Sequence, residues 1–434
     1  MIGIITLLVA LGAQIGLFVY QMVTRNRQTK VKHMIRLSAF GLFSLLIVLG
    51  VYWWGFRWMG LFILLTVWAI LSIMYFVKKN KMEKPYKRSG VIFSFVNGCF
   101  LLTFLILPGI IFPQLKAVVP TGAFAVGTES ITYVDSSRAE AFSEAGESRK
   151  LTVQFWYPDV QTDLETYPLV VFSHGSFGYR GSNLSTFENL ASNGYVVCSI
   201  DHSYHAFFSK HTDGSVALVN MDFLNNAVNI ENGQYDEQTT YNITHEWLDL
   251  RAADMNFVLA EILSNARAEN PQGVYNLINT EEIGLFGHSL GGATAAKLGR
   301  ERKDIDAVIV VDGTMLGEEV GFENGHAVLN SDAYPVPILN LYNQAHYDDA
   351  SRLGTEYDNL AASANAVESY DVVIRGSGHL NFTDLPLFSP TLARMLGTGQ
   401  ADSRYCIETM NWAVLEFFNH TLKDTGDLHL KTEY

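Results

Sequence analysis

The chain has 434 residues and a formal net charge of −14 at pH 7, which is too long for one ordinary domain. The charge is divided: residues 1–112 hold 12 Lys and Arg against one acid, Glu83, a net of +11, and residues 113–434 hold 18 against 43 acids, a net of −25. An acidic half of this kind repels nucleic acid and excludes it as a partner; the contrast reads as a membrane region joined to a well-solvated domain. The expected organisation is a four-helix transmembrane region over 1–112, a linker over 113–126 and an α/β domain over 127–434.

Four apolar runs, about 1–23, 37–56, 59–77 and 91–112, are each long enough to cross a hydrocarbon core of about 30 Å as a helix. Trp53, Trp54, Trp58 and Tyr75 lie near their ends, as interfacial aromatics do. The first run lacks the basic leader and small-residue cleavage site of a signal peptide, so it is read as a span. Arg25, Arg27, Lys30, Lys32 and Arg36 fall in one loop, and Lys78, Lys79, Lys81, Lys84, Lys87 and Arg88 in another, while the turn between the second and third runs holds only Arg57. The positive-inside rule places the two basic loops in the cytoplasm. The reading is a multi-pass protein of the cell membrane with its acidic half on the extracytoplasmic side. No acid or histidine falls within an expected span, which suits an anchor better than a transport path.

Beyond the linker, Gly127 to Val134 and Leu151 to Tyr157 alternate as edge strands do, with a polar hairpin loop over 136–150 between them. A fully apolar strand, Leu169 to Phe172, ends in Ser173-His174-Gly175-Ser176-Phe177-Gly178. A helix over 184–192 and a strand from Tyr195 to Ile200 follow. Residues 205–245 read as a polar, irregular rim with a short helix near 219–228, before a long helix over 246–266. Further strands are expected at 283–286, 305–311, 336–342 and 370–374, and a closing helix at 403–422. Strands alternating with helices imply a mainly parallel sheet with reactive groups at the strands' carboxyl ends.

Glu282 to Arg300 carries the sharpest signal. An apolar strand runs into Gly287-His288-Ser289-Leu290-Gly291 and then a small-residue helix, a corner that pushes a serine hydroxyl above the sheet edge. A serine needs a base to accept its proton and an acid to orient that base. His379, in a glycine-rich loop after the last strand, is the candidate base. His288 is expected to point away from the reacting centre, and His346 belongs to a polar loop, NQAHYDD. Position leaves the acid open between Asp312 and the pair Asp348 and Asp349. The oxyanion donors are expected to be the backbone N–H groups of Leu290 and Ser176. Asp201, His202 and His205 are read as pocket-lining or mutually satisfied groups rather than metal ligands. No cofactor and no metal is expected, and Cys198 and Cys406 read as buried free thiols, with a single disulfide between them the alternative.

The segments LTVQFWYP (151–158), VVFSHGSFG (170–178), ASNGYVV (191–197), GHSLGGAT (287–294), AVIVVDGTM (307–315) and IRGSGHLNF (374–382) resemble, in this order, the platelet-activating factor acetylhydrolases of the plasma and intracellular isoform II type, the group VII phospholipase A2-like enzymes. The resemblance covers roughly residues 120–420. It implies an α/β-hydrolase fold with Ser289 as nucleophile, Asp312 as acid, His379 as base and Leu290 and Ser176 as oxyanion donors. It also implies removal of short or oxidised sn-2 acyl chains from phospholipids without calcium. The family more often has a larger apolar residue at the Ser176 position, and its vertebrate members lack the four spans. A peptidase or acyltransferase on the same scaffold, and a non-catalytic membrane sensor, are the rival readings.

Overall fold

The computed structural model describes residues 2–78, 85–143, 146–160 and 165–434. It forms two compact units, residues 1–116 with 387–392, and residues 117–386 with 393–434.

The first unit is built on helices α1 (Ile2–Thr24), α2 (Thr29–Val48), α3 (Phe56–Val77) and α4 (Arg88–Ile111). All four are long and apolar enough to cross a membrane. α1 packs on α4 and α2 on α3. A Cβ on Gly3 would lie 2.5 Å from the Gly109 carbonyl oxygen, so the absent side chain is what lets these two backbones approach. The second helix starts and ends about eight residues earlier than the apolar run suggests. Gly50, at φ +73°, donates its N–H to Ile47 O and closes the helix, so the apolar stretch beyond Val48 is not helical. Lys30, Lys32 and Arg36 therefore lie on α2 itself. His33 does too, contrary to the expectation of histidine-free spans; its Nδ1 is 2.8 Å from Ser72 Oγ and its ring stacks on Tyr75. Lys79, Lys81, Glu83 and Lys84 of the second basic loop, and residues 144–145 of the polar hairpin loop, lie outside the described residues.

The second unit is organised by one eight-stranded sheet. Its strands in chain order are β1 (Val126–Ala139), β2 (Ser148–Pro158), β3 (Tyr167–Ser173), β4 (Val196–Asp201), β7 (Ile278–His288), β8 (Ala307–Val311), β11 (Ile338–Tyr342) and β12 (Ser369–Val373). They stand in the order β1-β2-β4-β3-β7-β8-β11-β12. β1, β2 and β4 pair antiparallel, and every neighbour from β4 to β12 is parallel. Two small hairpins, β5 (Phe208–Lys210) with β6 (Val216–Leu218) and β9 (Glu319–Glu323) with β10 (His326–Leu329), complete the strands. β3 is buried along its whole length, as a strand covered on both faces must be.

Strand alternation sends Val171, Val308 and Val310 to one face and Phe172, Ile309 and Val311 to the other. The first face is covered by helix α7 (Glu237–Ala266), through Met255, Leu259 and Ile262, and by α8 (Leu290–Glu301). The second is covered by α5 (Leu184–Ser192) and the C-terminal helix Ser403–Lys423, through Phe187, Phe417 and Phe418.

Three local expectations change. α7 begins at Glu237, nine residues early, because Asp236 caps it by accepting the Thr239 N–H at 2.8 Å. The 205–245 stretch holds the β5/β6 hairpin where irregular chain was expected, while α6 (Met221–Glu231) falls where the short helix near 219–228 was expected. NQAHYDD is not a loop: Asn343 caps α9 (Gln344–Leu353) by accepting the His346 N–H at 3.0 Å. Residues 113–126, read as a linker or a first contact with the domain, make such a contact: Thr121 and Gly122 donate their N–H groups to the Asn189 and Ser192 side chains on α5.

A Cβ on Gly291 would lie 1.9 Å from the Ser173 carbonyl oxygen, whereas one on Gly321 would meet nothing nearer than 3.9 Å. Gly291→Ala is therefore expected to destabilise the fold by about 1–3 kcal/mol and Gly321→Ala to leave it unchanged. Thermal unfolding of the two variants beside the parent protein checks this.

Candidate active site

β7 ends at His288, and Ser289 turns the chain into α8 with φ 56° and ψ −128°. A non-glycine residue there is strained by about 1–3 kcal/mol and persists only where its surroundings hold it. Three contacts do so. Ser289 N–H donates to Val311 O at 2.8 Å, Ser289 O accepts the Gly292 N–H at 2.8 Å, and Gly287 lies where a Cβ would be 2.1 Å from Gly291 O. Leu290 is the first residue of α8, so its N–H has no carbonyl four residues back within the helix.

Asp312 leaves the end of β8 at φ 49°, again outside the usual backbone range. Its carboxylate is buried and shared between two histidines: His379 Nδ1 lies 2.6 Å from Oδ2 and His346 Nδ1 lies 3.0 Å from Oδ1. Asn343 adds its backbone N–H to Oδ1 at 2.8 Å and its side-chain amide to Oδ2 at 2.6 Å. Burial works to raise this carboxyl, but the bonds from His346 and His379 outweigh it and hold it well below the usual carboxylate range. The other candidate acids are engaged elsewhere. Asp348 accepts from Gln344, and Asp349 pairs with Arg352 at 2.9 Å on the exposed face of α9.

His288 is not among the residues that line the cavity of Ser289, but it packs against the candidate base. Its buried ring lies 4.5 Å from that of His379, centroid to centroid, and its Nε2 is 3.2 Å from His379 O. Burial, with the adjacent His379 adding to it, lowers its pKa to about 3, so the ring stays neutral. After β3, Gly178 N–H donates to Gly175 O at 3.1 Å, closing a turn in which Phe177 has φ 61°. Ser176 from this turn, Ser289, Leu290, Asp312 and His379 all line one cavity of about 620 Å³, together with Trp247, Leu316, His346, Leu353 and Tyr357. That size suits a small organic ligand.

The Asp201 to His205 stretch is satisfied by protein groups. Asp201 is held by the Arg180 backbone N–H and guanidinium, while burial lifts its carboxyl to about 6. His202 bridges Ser173 Oγ at 2.9 Å and Asp254 at 3.0 Å, with burial pushing it down to about 4. His205 stacks on Phe223 at 3.9 Å. Cys198 and Cys406 are buried and free.

Sequence reasoning missed two features. His346 joins the site because its helix is capped by Asn343, whose own side chain also holds Asp312; no spacing rule signals that. The second is a buried ionic cluster around Asp254, which accepts Arg149 Nε and Nη2 at 2.6 Å each and Arg138 Nη1 at 2.9 Å. Here a signal existed: Arg251 and Asp254 interrupt the buried stripe of Leu248, Met255, Leu259 and Ile262 on α7. Asp254→Ala would leave Arg149 buried without its forked partner. It is expected to cost about 3–5 kcal/mol of stability, measured by denaturant unfolding.

The family profile for platelet-activating factor acetylhydrolase, isoform II, matches residues 119–431. Among known proteins, the chain is 25% identical over 287 residues to a platelet-activating factor acetylhydrolase of Canis lupus familiaris and 26% identical over 286 residues to that of Bos taurus. Each match covers 62% of this chain and 60% of the relative, so the chain spans about three fifths of those relatives' length. The solved structure of a ferulic acid esterase from Streptomyces cinnamoneus aligns with a TM-score of 0.55 at 20% identity, over 73% of this chain and 96% of that one. That likeness is one of fold: a mainly parallel sheet with flanking helices, the α/β-hydrolase fold, here preceded by a helical region.

Proposed function

The chain belongs to the platelet-activating factor acetylhydrolase, isoform II, family, and on that premise we propose that it is a membrane-anchored serine hydrolase of carboxylic esters. The observation that carries this reading is the shared cavity of Ser289 and His379, with His379 Nδ1 bonded at 2.6 Å to the buried Asp312.

In the proposed mechanism Ser289 Oγ attacks the ester carbonyl carbon while His379 Nε2 takes its proton. Asp312, ionised by its histidine partners, holds the proton on His379 Nδ1 and so leaves Nε2 free to act as base. The carbonyl oxygen becomes an oxyanion held by the N–H groups of Leu290 and Ser176, aided by the positive end of α8. Collapse expels the alcohol, which receives the proton from His379 Nε2. Water, deprotonated at the same nitrogen, then attacks the acyl-enzyme and restores Ser289.

The substrate class proposed is a phospholipid with a short or oxidised sn-2 acyl chain. The relatives' names support it, as does a cavity with Trp247, Leu316 and Leu353 on its wall. Four helices of membrane-spanning length support a membrane anchor, which is compatible with a lipid substrate. The domain division proposed is 1–112 for the anchor, 113–126 as connection and 127–434 for catalysis.

Ser289→Ala is expected to abolish ester hydrolysis by the full chain, and a fluorophosphonate probe is expected to label Ser289 in the parent but not in His379→Ala. Asp312→Asn should lower kcat by about 10⁴-fold. Full activity in Ser289→Ala ends the reading. With 2-acetyl and 2-palmitoyl phosphatidylcholine compared, faster release of acetate is expected. The basic residues of the two loops predict a cytoplasmic side for them and an extracytoplasmic catalytic unit. Protease added to intact cells should then remove the catalytic unit, and protection of that unit would reverse the orientation.

A further inference from the structure

Arg251 lies on α7 with its side chain fully buried. Asp254, one turn along the same helix, is forked to Arg149 instead. Arg251 directs two donors at the loop after β3, Nη1 to His174 O at 2.5 Å and Nη2 to Gly175 O at 3.5 Å, and its Nε to His205 Nδ1, after β4, at 3.4 Å. A buried cation is costly to keep, and here it holds the His174 carbonyl and reaches the next one, Gly175 O, at a longer 3.5 Å. His174 acts on the same loop. Its Nδ1 is 2.6 Å from Gly175 O and its Nε2 accepts the His202 N–H at 3.3 Å. Those partners select the tautomer with hydrogen on Nδ1, and burial keeps the ring neutral.

Gly175 O belongs to the same peptide group as Ser176 N–H. The peptide is trans, so its carbonyl and N–H point in opposite directions. The carbonyl is turned toward the fully buried Arg251 and His174. The N–H is therefore turned the other way, to the side on which Ser176 lines the cavity with Ser289 and Leu290. Donors on a peptide's oxygen also polarise its N–H. The Gly178 N–H also holds this carbonyl from within the loop, at 3.1 Å, while a Cβ at Gly175 would lie 2.8 Å from His288 Nδ1, so that residue has no room for a side chain on the corner side.

We propose that Arg251 is the positioning residue of the oxyanion site: with His174 it fixes the two peptides from His174 to Ser176 so that Ser176 N–H stands ready to receive the negative oxygen. This rests on Ser289 being the nucleophile. Arg251 touches no reacting atom, and its contribution passes wholly through the backbone.

The test compares 4-nitrophenyl acetate with its thionoester, in which sulfur replaces the carbonyl oxygen, on the full chain in detergent. Sulfur is a poor hydrogen-bond acceptor, so its anion gains little from N–H donors. In Arg251→Met, kcat for the oxoester is expected to fall about 100-fold with KM nearly constant, while the thionoester rate stays close to the parent's. The preference for oxygen thus collapses, which a general loosening of the fold would not produce. Equal loss on both substrates in a folded variant overturns the proposal. If Arg251→Met does not fold, Arg251→Lys decides: its single ammonium cannot span both carbonyls, so the oxygen preference should fall about tenfold, and a preference equal to the parent's overturns the proposal. Parent protein that takes up no fluorophosphonate at Ser289 removes the nucleophile reading itself. Labelled parent with an unchanged preference in the variant removes only the role of Arg251.

Discussion

The contact between Gly291 and the Ser173 carbonyl is the constraint on which the rest of the catalytic unit depends. It can form only because Gly291 has no side chain, since a Cβ would stand 1.9 Å from that oxygen. The contact draws the end of β3 against the start of α8. In doing so it places the loop that carries Ser176 beside the corner that carries Ser289. Gly287 and Gly313 extend the same crowding, as their missing Cβ atoms would lie 2.1 Å from Gly291 O and 2.3 Å from Ser289 O. A strained serine survives there because three pieces of backbone leave it no other conformation.

Two buried carboxylates then organise the polar groups around the site, Asp312 in the cavity wall and Asp254 behind it through intermediate residues. Asp312, beyond β8, is saturated by Asn343, His346 and His379, and is ionised in consequence. Asp254, on α7, collects Arg149, Arg138 and His202. Each is a costly charge made tolerable by full pairing. The first fixes the His379 ring, which shares a cavity with Ser289. The second anchors, through His202 and Ser173, the base of the loop on which the oxyanion donor is proposed to sit. Packing alone would not orient these groups, because hydrogen bonds are directional and the hydrophobic effect is not.

The N-terminal unit follows different physics. Its helices are apolar on nearly every face, and their contacts rest on small residues and a few polar pairs rather than on an amphipathic stripe. Gly3 against Gly109 brings α1 and α4 together, and Trp58, buried beside Phe43 and Tyr52, gives its indole N–H to Gln114 at 2.8 Å. Close packing and hydrogen bonds of this kind suit the proposed membrane anchor, because in lipid apolar surface gains nothing by leaving an apolar solvent.

Whatever depended on short-range rules was legible in the residues: the strand-corner-helix of 282–300, the all-apolar β3, the alternation that implied a parallel sheet, and the existence of four long apolar helices. Backbone sterics and hydrophobic period act over a few residues, so the local string determines them. The ends of α2 and α7 were misread because apolarity continues past Val48 while Gly50 stops the helix, and because the Asp236 cap starts α7 within a polar stretch. The sharing of Asp312 by His346 and His379, the ring of His288 against His379, and the hold of Arg251 on the His174 and Gly175 carbonyls were decided only by tertiary structure. These partners lie tens of residues apart, and hydrogen bonds and buried charges find their geometry only after the sheet has brought the strand ends together.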